Sequence, residues 1–165
     1  MSSLQLDAEA LYLDLLAGVR PLLQADAVLV GVWSGGAWLA ERLQRDLQRP
    51  GAHGVISSTL HRDDFGSRGL AGADATRLPF DVTDRPIVLI DDVLYTGRTI
   101  RAVLNELFDF GRPASVALAV LVDRGGRELP IAAAYSAARI TLPREQRLSL
   151  ARSEAGAFSF DIRGG

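Results

Sequence analysis

The sequence predicts an α/β fold: one parallel sheet flanked by helices. Three observations carry this. Short apolar runs at 27–32, 55–60, 87–90 and 115–122 read as strands buried in a sheet. Amphipathic helical patterns alternate with them, and each run ends in a short polar loop. With 165 residues, 48% of them hydrophobic, the chain can bury a real core and is expected to form a single domain over 1–165.

Taken in order, residues 4–23 follow a helical period with Ala8, Leu11, Leu15 and Leu16 facing inward. Gly18 and Pro21 weaken the end of that helix. The run 27–32 passes into Trp33-Ser34-Gly35-Gly36, and a helix starts at Ala37 and ends near Arg49. On it Trp38, Leu39, Leu43 and Leu47 point inward, with Glu41, Arg42, Arg45 and Asp46 outward. The run 55–60 leads into His61-Arg62-Asp63-Asp64. Residues 65–85 shift to Gly, Ala, Asp and Arg without periodicity, the pattern expected of a long mobile loop. Ile87 to Ile90 form the central strand, followed by Asp91 and Asp92 where the chain leaves the sheet. After a polar turn, Ile100, Val103, Leu104, Leu107 and Phe108 make one helical stripe, which Gly111 and Pro113 stop. A strand at 115–122, a polar loop at 123–130 and a weaker edge strand at 132–140 complete the pattern. From Pro143 onward the chain is Arg-rich, and its structure is left unassigned.

A strand, a turn and a helix start in succession form an anion site. The first N–H groups of a helix lack partners, and the helix dipole is positive there. Gly97 permits close backbone approach, and Thr96 and Thr99 add hydroxyl donors. Asp91 and Asp92 repel a phosphate, so their targets are hydroxyls or a divalent cation. Phosphate donors beside hydroxyl acceptors suit a phosphorylated sugar. The same spacing also fits a capped turn with no ligand, or an acidic metal pocket. Ser34-Gly35-Gly36 repeats the arrangement as a second anion site or a simple turn. In parallel sheets ligands bind at the carboxyl ends of the strands, so the loops 34–36, 62–64, 91–99 and 123–127 are expected on one rim.

Composition excludes several chemistries. There is no cysteine and no lysine, since all 18 basic residues are Arg; disulfides, thiolate nucleophiles, Schiff bases and a P-loop lysine are therefore absent. A net charge of −2 provides no general basic field for nucleic acid. His53 and His61 have no partner at metal-ligand spacing. No apolar run spans a membrane, and a cytoplasmic location is the default expectation.

The wording Asp-Asp-Val-Leu-Tyr-Thr-Gly-Arg-Thr at 91–99 resembles the ribose-phosphate loop of phosphoribosyltransferases. In detail it is similar to that of the PyrR family, pyrimidine operon regulators that are also uracil phosphoribosyltransferases. The similarity runs from about Val28 to Ile131 and includes Thr-Leu-His-Arg-Asp-Asp (59–64), Asp-Val-Thr-Asp (81–84), Gly-Arg-Pro-Ala-Ser (111–115), Ala-Val-Leu-Val-Asp-Arg-Gly (119–125) and Arg-Glu-Leu-Pro-Ile (127–131). The resemblance implies a phosphoribosyltransferase core with a small hood. It implies transfer from 5-phosphoribosyl-1-diphosphate to uracil, giving UMP and pyrophosphate with Mg²⁺. Val93, Leu94, Tyr95, Thr96, Gly97, Arg98 and Thr99 would cradle the 5′-phosphate. Asp91 and Asp92 would hold the ribose hydroxyls and stabilise positive charge at the sugar ring. Mg²⁺ would be held mainly through the donor, with Asp91 or Asp92 as candidate ligands. Ser34, Gly35 and Gly36 match the pyrophosphate loop; Val122, Asp123 and Arg124 would meet the base; Arg62, Asp63 and Asp64 open the mobile loop, in which Arg68 and Arg77 are candidate charges on closure.

Three departures qualify this. The family's pyrophosphate loop commonly reads Thr-Arg-Gly, and the loss of that Arg at Gly35 removes a charged contact to the donor. Gly126 and Ala132 stand where the family carries a His and an Arg on its RNA-binding surface, and the first helix lacks the Thr and Arg expected there. RNA therefore remains a candidate partner only, through a strip of Arg139, Arg144, Arg147 and Arg152. The resemblance also implies a homodimer or higher homo-oligomer. Two alternatives stay open: an RNA-binding regulator that senses UMP with little catalysis, and a phosphoribosyltransferase for another base.

Overall fold

The computed structural model describes residues 6–58 and 76–164. The elements are α1 (Ala8–Val19), a 3-10 turn (Arg20–Leu22), β1 (Val28–Val32), α2 (Gly35–Asp46), β2 (Gly54–Ile56) and β3 (Pro86–Leu94). They continue with α3 (Arg98–Asp109), β4 (Ser115–Asp123), β5 (Tyr135–Arg139), β6 (Arg147–Arg152) and β7 (Phe158–Arg163). A five-stranded sheet has the order β2-β1-β3-β4-β5, and every neighbouring pair in it is parallel. β6 and β7 form a separate antiparallel hairpin.

Alternate residues of β3 serve two cores. Val88 and Ile90 pack with Leu29, Leu121, Leu15 of α1, and Leu39 and Leu43 of α2. Ile87 and Leu89 pack with Val30, Val120, and Ile100, Val103 and Leu107 of α3. Both faces of the strand are dry, which explains its unbroken apolar run. The α3 stripe departs from expectation at Phe108, which is 52% exposed. Eight residues beyond Ile100, Phe108 lies roughly 80° further round the helix and clears the sheet.

Other elements differ at their ends. β3 runs on to Leu94 instead of stopping at Ile90, because β4 extends beside it and pairs Asp91 with Val120 and Leu94 with Asp123. α2 starts at Gly35 rather than Ala37. β2 ends at Ile56, short of the expected 60. Of the expected 65–85 loop, residues 65–75 lie outside the described residues. Residues 76–85 lie against the sheet: Arg77 exchanges backbone hydrogen bonds with Val55, and Leu78, Phe80 and Val82 pack on the α3-side core. No helix among the described residues is long and apolar enough to cross a membrane.

Arg42 was expected in solvent but is covered by the hairpin, its side chain only 16% exposed. Its guanidinium carbon sits 3.9 Å from the Phe158 ring centroid and 4.8 Å from that of Tyr12. It pairs with Glu9 at 2.8 Å and donates to the Gly156 carbonyl. Glu9 in turn accepts the Phe158 N–H at 2.6 Å. The hydrogen bond from Arg42, then that from Phe158, holds the Glu9 carboxyl below its ordinary range despite burial. This stabilisation is present above the unfolded value of 4.5 and is lost as pH falls through the lower folded value. Arg42→Ala should cost about 1–3 kcal/mol in urea unfolding at neutral pH. Part of that difference should vanish as pH drops through Glu9's folded value; a pH-independent difference would assign all of it to the ring contacts.

Candidate active site

The chain enters the sheet at β1, places β2 on one side and β3 on the other, and so reverses direction between β1 and β3. A crevice opens at such a reversal, beyond the carboxyl ends of the two strands. The loops after β1 and β3 flank it.

On one side, α2 starts almost in contact with β3. A Cβ on Gly35 would lie 2.5 Å from Asp92 Oδ2, and one on Gly36 would overlap the Ile90 carbonyl oxygen. Gly31 permits the same approach from β1, since a Cβ there would lie 2.6 Å from Ala37 Cα. The peptide between Trp33 and Ser34 is cis, and the Ser34 side chain makes no cap to the helix. The first N–H groups of α2 therefore open beside Asp92.

On the other side, the turn from β3 into α3 encloses a cavity of about 120 Å³, lined by Asp91, Val93, Leu94, Tyr95, Thr96, Gly97, Thr99 and Ile100. Gly97 caps α3 with φ at +95°, a conformation that L side chains avoid. A Cβ there would also come within 3.0 Å of Ile131. Thr96 Oγ1 accepts the Arg98 N–H at 3.2 Å, and the Thr96 carbonyl accepts from Glu128 and Leu129. The Arg98 side chain turns away from the cavity to Glu128 at 2.7 Å.

The two acids differ in surroundings. Asp91 is 6% exposed and accepts the Asp92 N–H at 2.8 Å. Burial first, and the negative charge of Asp92 second, push its carboxyl well above the ordinary range and favour the neutral form. Asp92 is half-buried; Oδ1 accepts from Val93 N at 2.8 Å, and Oδ2 from Leu150 N of β6 at 3.1 Å. The hairpin thus reaches the acid pair, a contact with no local trace in the sequence.

At the end of β4, the Val122 side chain is buried in the core. Asp123 is ion-paired with Arg127 at 2.6 Å and accepts the Gly125 N–H. Burial opposes ionisation of Asp123, but those hydrogen bonds outweigh it and hold the carboxyl below its ordinary range. Arg127, given no role of its own by the sequence, also donates to the carbonyls of Tyr95 and Ile131 and so ties the 123–131 loop to the cavity wall. Arg124 is buried and directed toward the chain at 143–146. Arg62, Asp63, Asp64 and Arg68 lie outside the described residues, while Arg77 lies on the β2 bridge.

Two helix starts thus face an acid pair at the carboxyl edge of a parallel sheet. The phosphoribosyl transferase domain family matches residues 18–141. The fold is shared with a hypoxanthine-guanine phosphoribosyltransferase from Bacillus anthracis, at a TM-score of 0.63 and 16% identity over 86% of this chain and 84% of that one. The enzyme from Leishmania tarentolae in complex with GMP gives a TM-score of 0.61 at 19% identity, over 86% of this chain and 84% of that one. In sequence, the chain is 52% identical to the bifunctional protein PyrR of Ralstonia nicotianae over 162 residues, 95% of this chain and 92% of that protein. It is 42% identical to the PyrR of Nitrosococcus oceani, over 93% of this chain and 91% of that protein. The chain belongs to the PyrR family of phosphoribosyl transferase domain proteins.

Two consequences can be measured. Gly35→Ala forces a methyl against Asp92 and should displace the carboxylate, lowering kcat/KM about 10–100-fold with the fold intact by circular dichroism. Unchanged kinetics would mean that Asp92 need not hold this position. Because the folded-state value of Asp91 is raised above 3.8, wild-type stability falls as pH climbs from there toward the raised value. Asp91→Asn removes that ionisation, so its Tm advantage should widen as pH climbs above 3.8 and level off once the raised folded-state value is passed. A constant gap would show that Asp91 ionises without penalty.

Proposed function

We propose that the protein transfers the 5-phosphoribosyl group of 5-phosphoribosyl-1-diphosphate to uracil, forming UMP and pyrophosphate. One observation carries this reading: Asp91 lines the 120 Å³ cavity at the start of α3, and its neighbour Asp92 lies against the start of α2. The 5′-phosphate fits the backbone-lined turn at Val93–Thr99, and the pyrophosphate fits the N-terminus of α2 at Ser34–Gly36. The ribose ring then lies over the acids between them.

The bond from the anomeric carbon to pyrophosphate breaks, the bond to uracil N1 forms, and the N1 proton is released. Positive charge builds on the sugar ring, and the Asp92 carboxylate, held by the N–H groups of Val93 and Leu150, is placed to stabilise it. A neutral Asp91 is suited to hydrogen-bond a ribose hydroxyl. No covalent nucleophile is needed, consistent with the lack of cysteine and lysine. Among the described residues no group of three or more acids or histidines could hold a metal by itself. Mg²⁺ therefore fits as an ion held mainly by the donor's oxygens, with Asp92 the better placed of the two acids; when bound it disperses the charge of the departing pyrophosphate. At the base wall the side chains of Val122, Asp123 and Arg124 are committed within the protein, as is the Arg124 N–H to the Leu94 carbonyl, so this strand end serves uracil as a fixed wall.

RNA regulation is the weaker part of the family's function here. Of the arginine strip, Arg152 pairs with Glu41 at 3.2 Å and stacks on Trp38, and Arg144 lies 3.8 Å from Glu128. A gel shift with pyrimidine leader RNA should show weak binding that UMP fails to tighten. Self-association, expected from the resemblance, is read by light scattering in the same samples.

Pyrophosphate release with a panel of uracil, guanine, hypoxanthine and orotate tests the main reading. Uracil should give the fastest turnover, and Asp92→Asn should slow it about 10²-fold with little change in unfolding midpoint. Release no faster than background with uracil would overturn the proposal, and preference for another base would reassign the substrate.

A further inference from the structure

Arg124 holds a positive charge where almost no water reaches, being 5% exposed. Among the described residues no carboxylate pairs with it, and the adjacent Asp123 is taken by Arg127. Its terminal nitrogens instead donate to the carbonyls of Gln146 at 2.8 Å and Pro143 at 3.0 Å, while Nε has no partner. The guanidinium carbon lies 4.0 Å from the centroid of the Tyr95 ring. Its backbone N–H donates to the Leu94 carbonyl at 3.0 Å. The Tyr95 ring also fills space left open by Gly126, where a Cβ would overlap its Cε1.

A buried charge without a counter-ion is a costly way to hold two carbonyls. Only Arg can lay a flat, charged face on a ring while its fork spans two acceptors. Those acceptors belong to the segment that joins β5 to β6, and the ring belongs to the turn that lines the cavity before α3. We propose that Arg124 is a positioning residue that clamps the 143–146 segment onto Tyr95 and thereby holds the phosphate turn in shape from behind, without touching the phosphate. The functional half of this inference rests on the reading of that turn as the phosphate site; the mechanical half does not. Its uncompensated charge also raises the potential behind the turn, which favours an anion there.

The test pairs two measurements on the full chain. Amide hydrogen exchange of the free protein reads the clamp, and titration with ribose 5-phosphate reads the cradle. That probe has no base, so a lost base contact at Arg124 cannot explain its weakening. Arg124→Met should speed exchange at residues 96–99 and 143–147 about 10-fold, with the β1 and β4 amides unchanged, and weaken ribose 5-phosphate about 10-fold. Arg124→Lys keeps the charge but not the fork and should recover part of both. Tyr95→Leu, which leaves Arg124 and its charge on the two carbonyls, should speed exchange at 96–99 as Arg124→Met does while 143–147 stay largely protected, and the double variant should be no worse at 96–99 than Arg124→Met. Should Arg124→Met not fold, Tyr95→Leu and Arg124→Lys carry both measurements. Unaltered exchange at 96–99, or single losses that multiply in the double variant, would overturn the clamp. If wild-type protein does not bind ribose 5-phosphate, the phosphate-site reading fails, and the exchange data still decide the clamp.

Discussion

Helix α2 begins where a helix would ordinarily collide with the neighbouring strands. Gly31, Gly35 and Gly36 remove the three Cβ atoms that would meet Ala37 Cα, Asp92 and the Ile90 carbonyl. This close approach sets the width of the crevice and brings the partnerless N–H groups of a helix to within a residue's breadth of an acid pair. The same approach lets Asp92 Oδ2 occupy the space beside Gly35 while it accepts the Leu150 N–H.

The walls of the site depend on contacts made far from it. The hairpin that supplies the Leu150 N–H is seated on α1 and α2 by Arg42, between Tyr12 and Phe158, with Glu9 bonded to both Arg42 and the Phe158 N–H. The opposite wall is secured by Arg127, which links Asp123, Ile131 and the Tyr95 carbonyl. In each case a guanidinium joins segments distant in sequence. A chain without lysine does this with a group that stays charged and spreads its donors in a plane. The buried Asp91 carboxyl works against folding at neutral pH, as expected where a site is organised for ligand rather than for stability.

Much of this was legible in the chain. The apolar runs of β1, β3 and β4 read directly as strands because both faces of each are buried. The turn at 95–99 could be placed because a short polar stretch with Gly97 separates the apolar run from the helical stripe; in the structure Gly97 is left-handed there. The hairpin also carries a signal in the sequence: Leu148, Leu150, Phe158 and Phe160 alternate with other residues on either side of Gly156, the period of a half-buried strand. Leu78, Phe80 and Val82 carry the same alternation inside a segment whose composition suggested a loop. Arg42 was misplaced because helical periodicity reports which residues face away from the sheet, not whether a later element covers them.

What the sequence by itself determined was local: which segments are strands and helices, where a backbone can curl round an anion, and that acids stand beside it. Those follow from periodicity and from conformations open only to particular residues. Tertiary structure alone decided that β3 lies beside β1, that Asp92 meets Gly35 and Leu150, and that Arg124 is spent on Tyr95 and two carbonyls. The physical reason is that burial is encoded one element at a time. The partner that satisfies each buried polar group comes from whichever distant segment the packing brings against it.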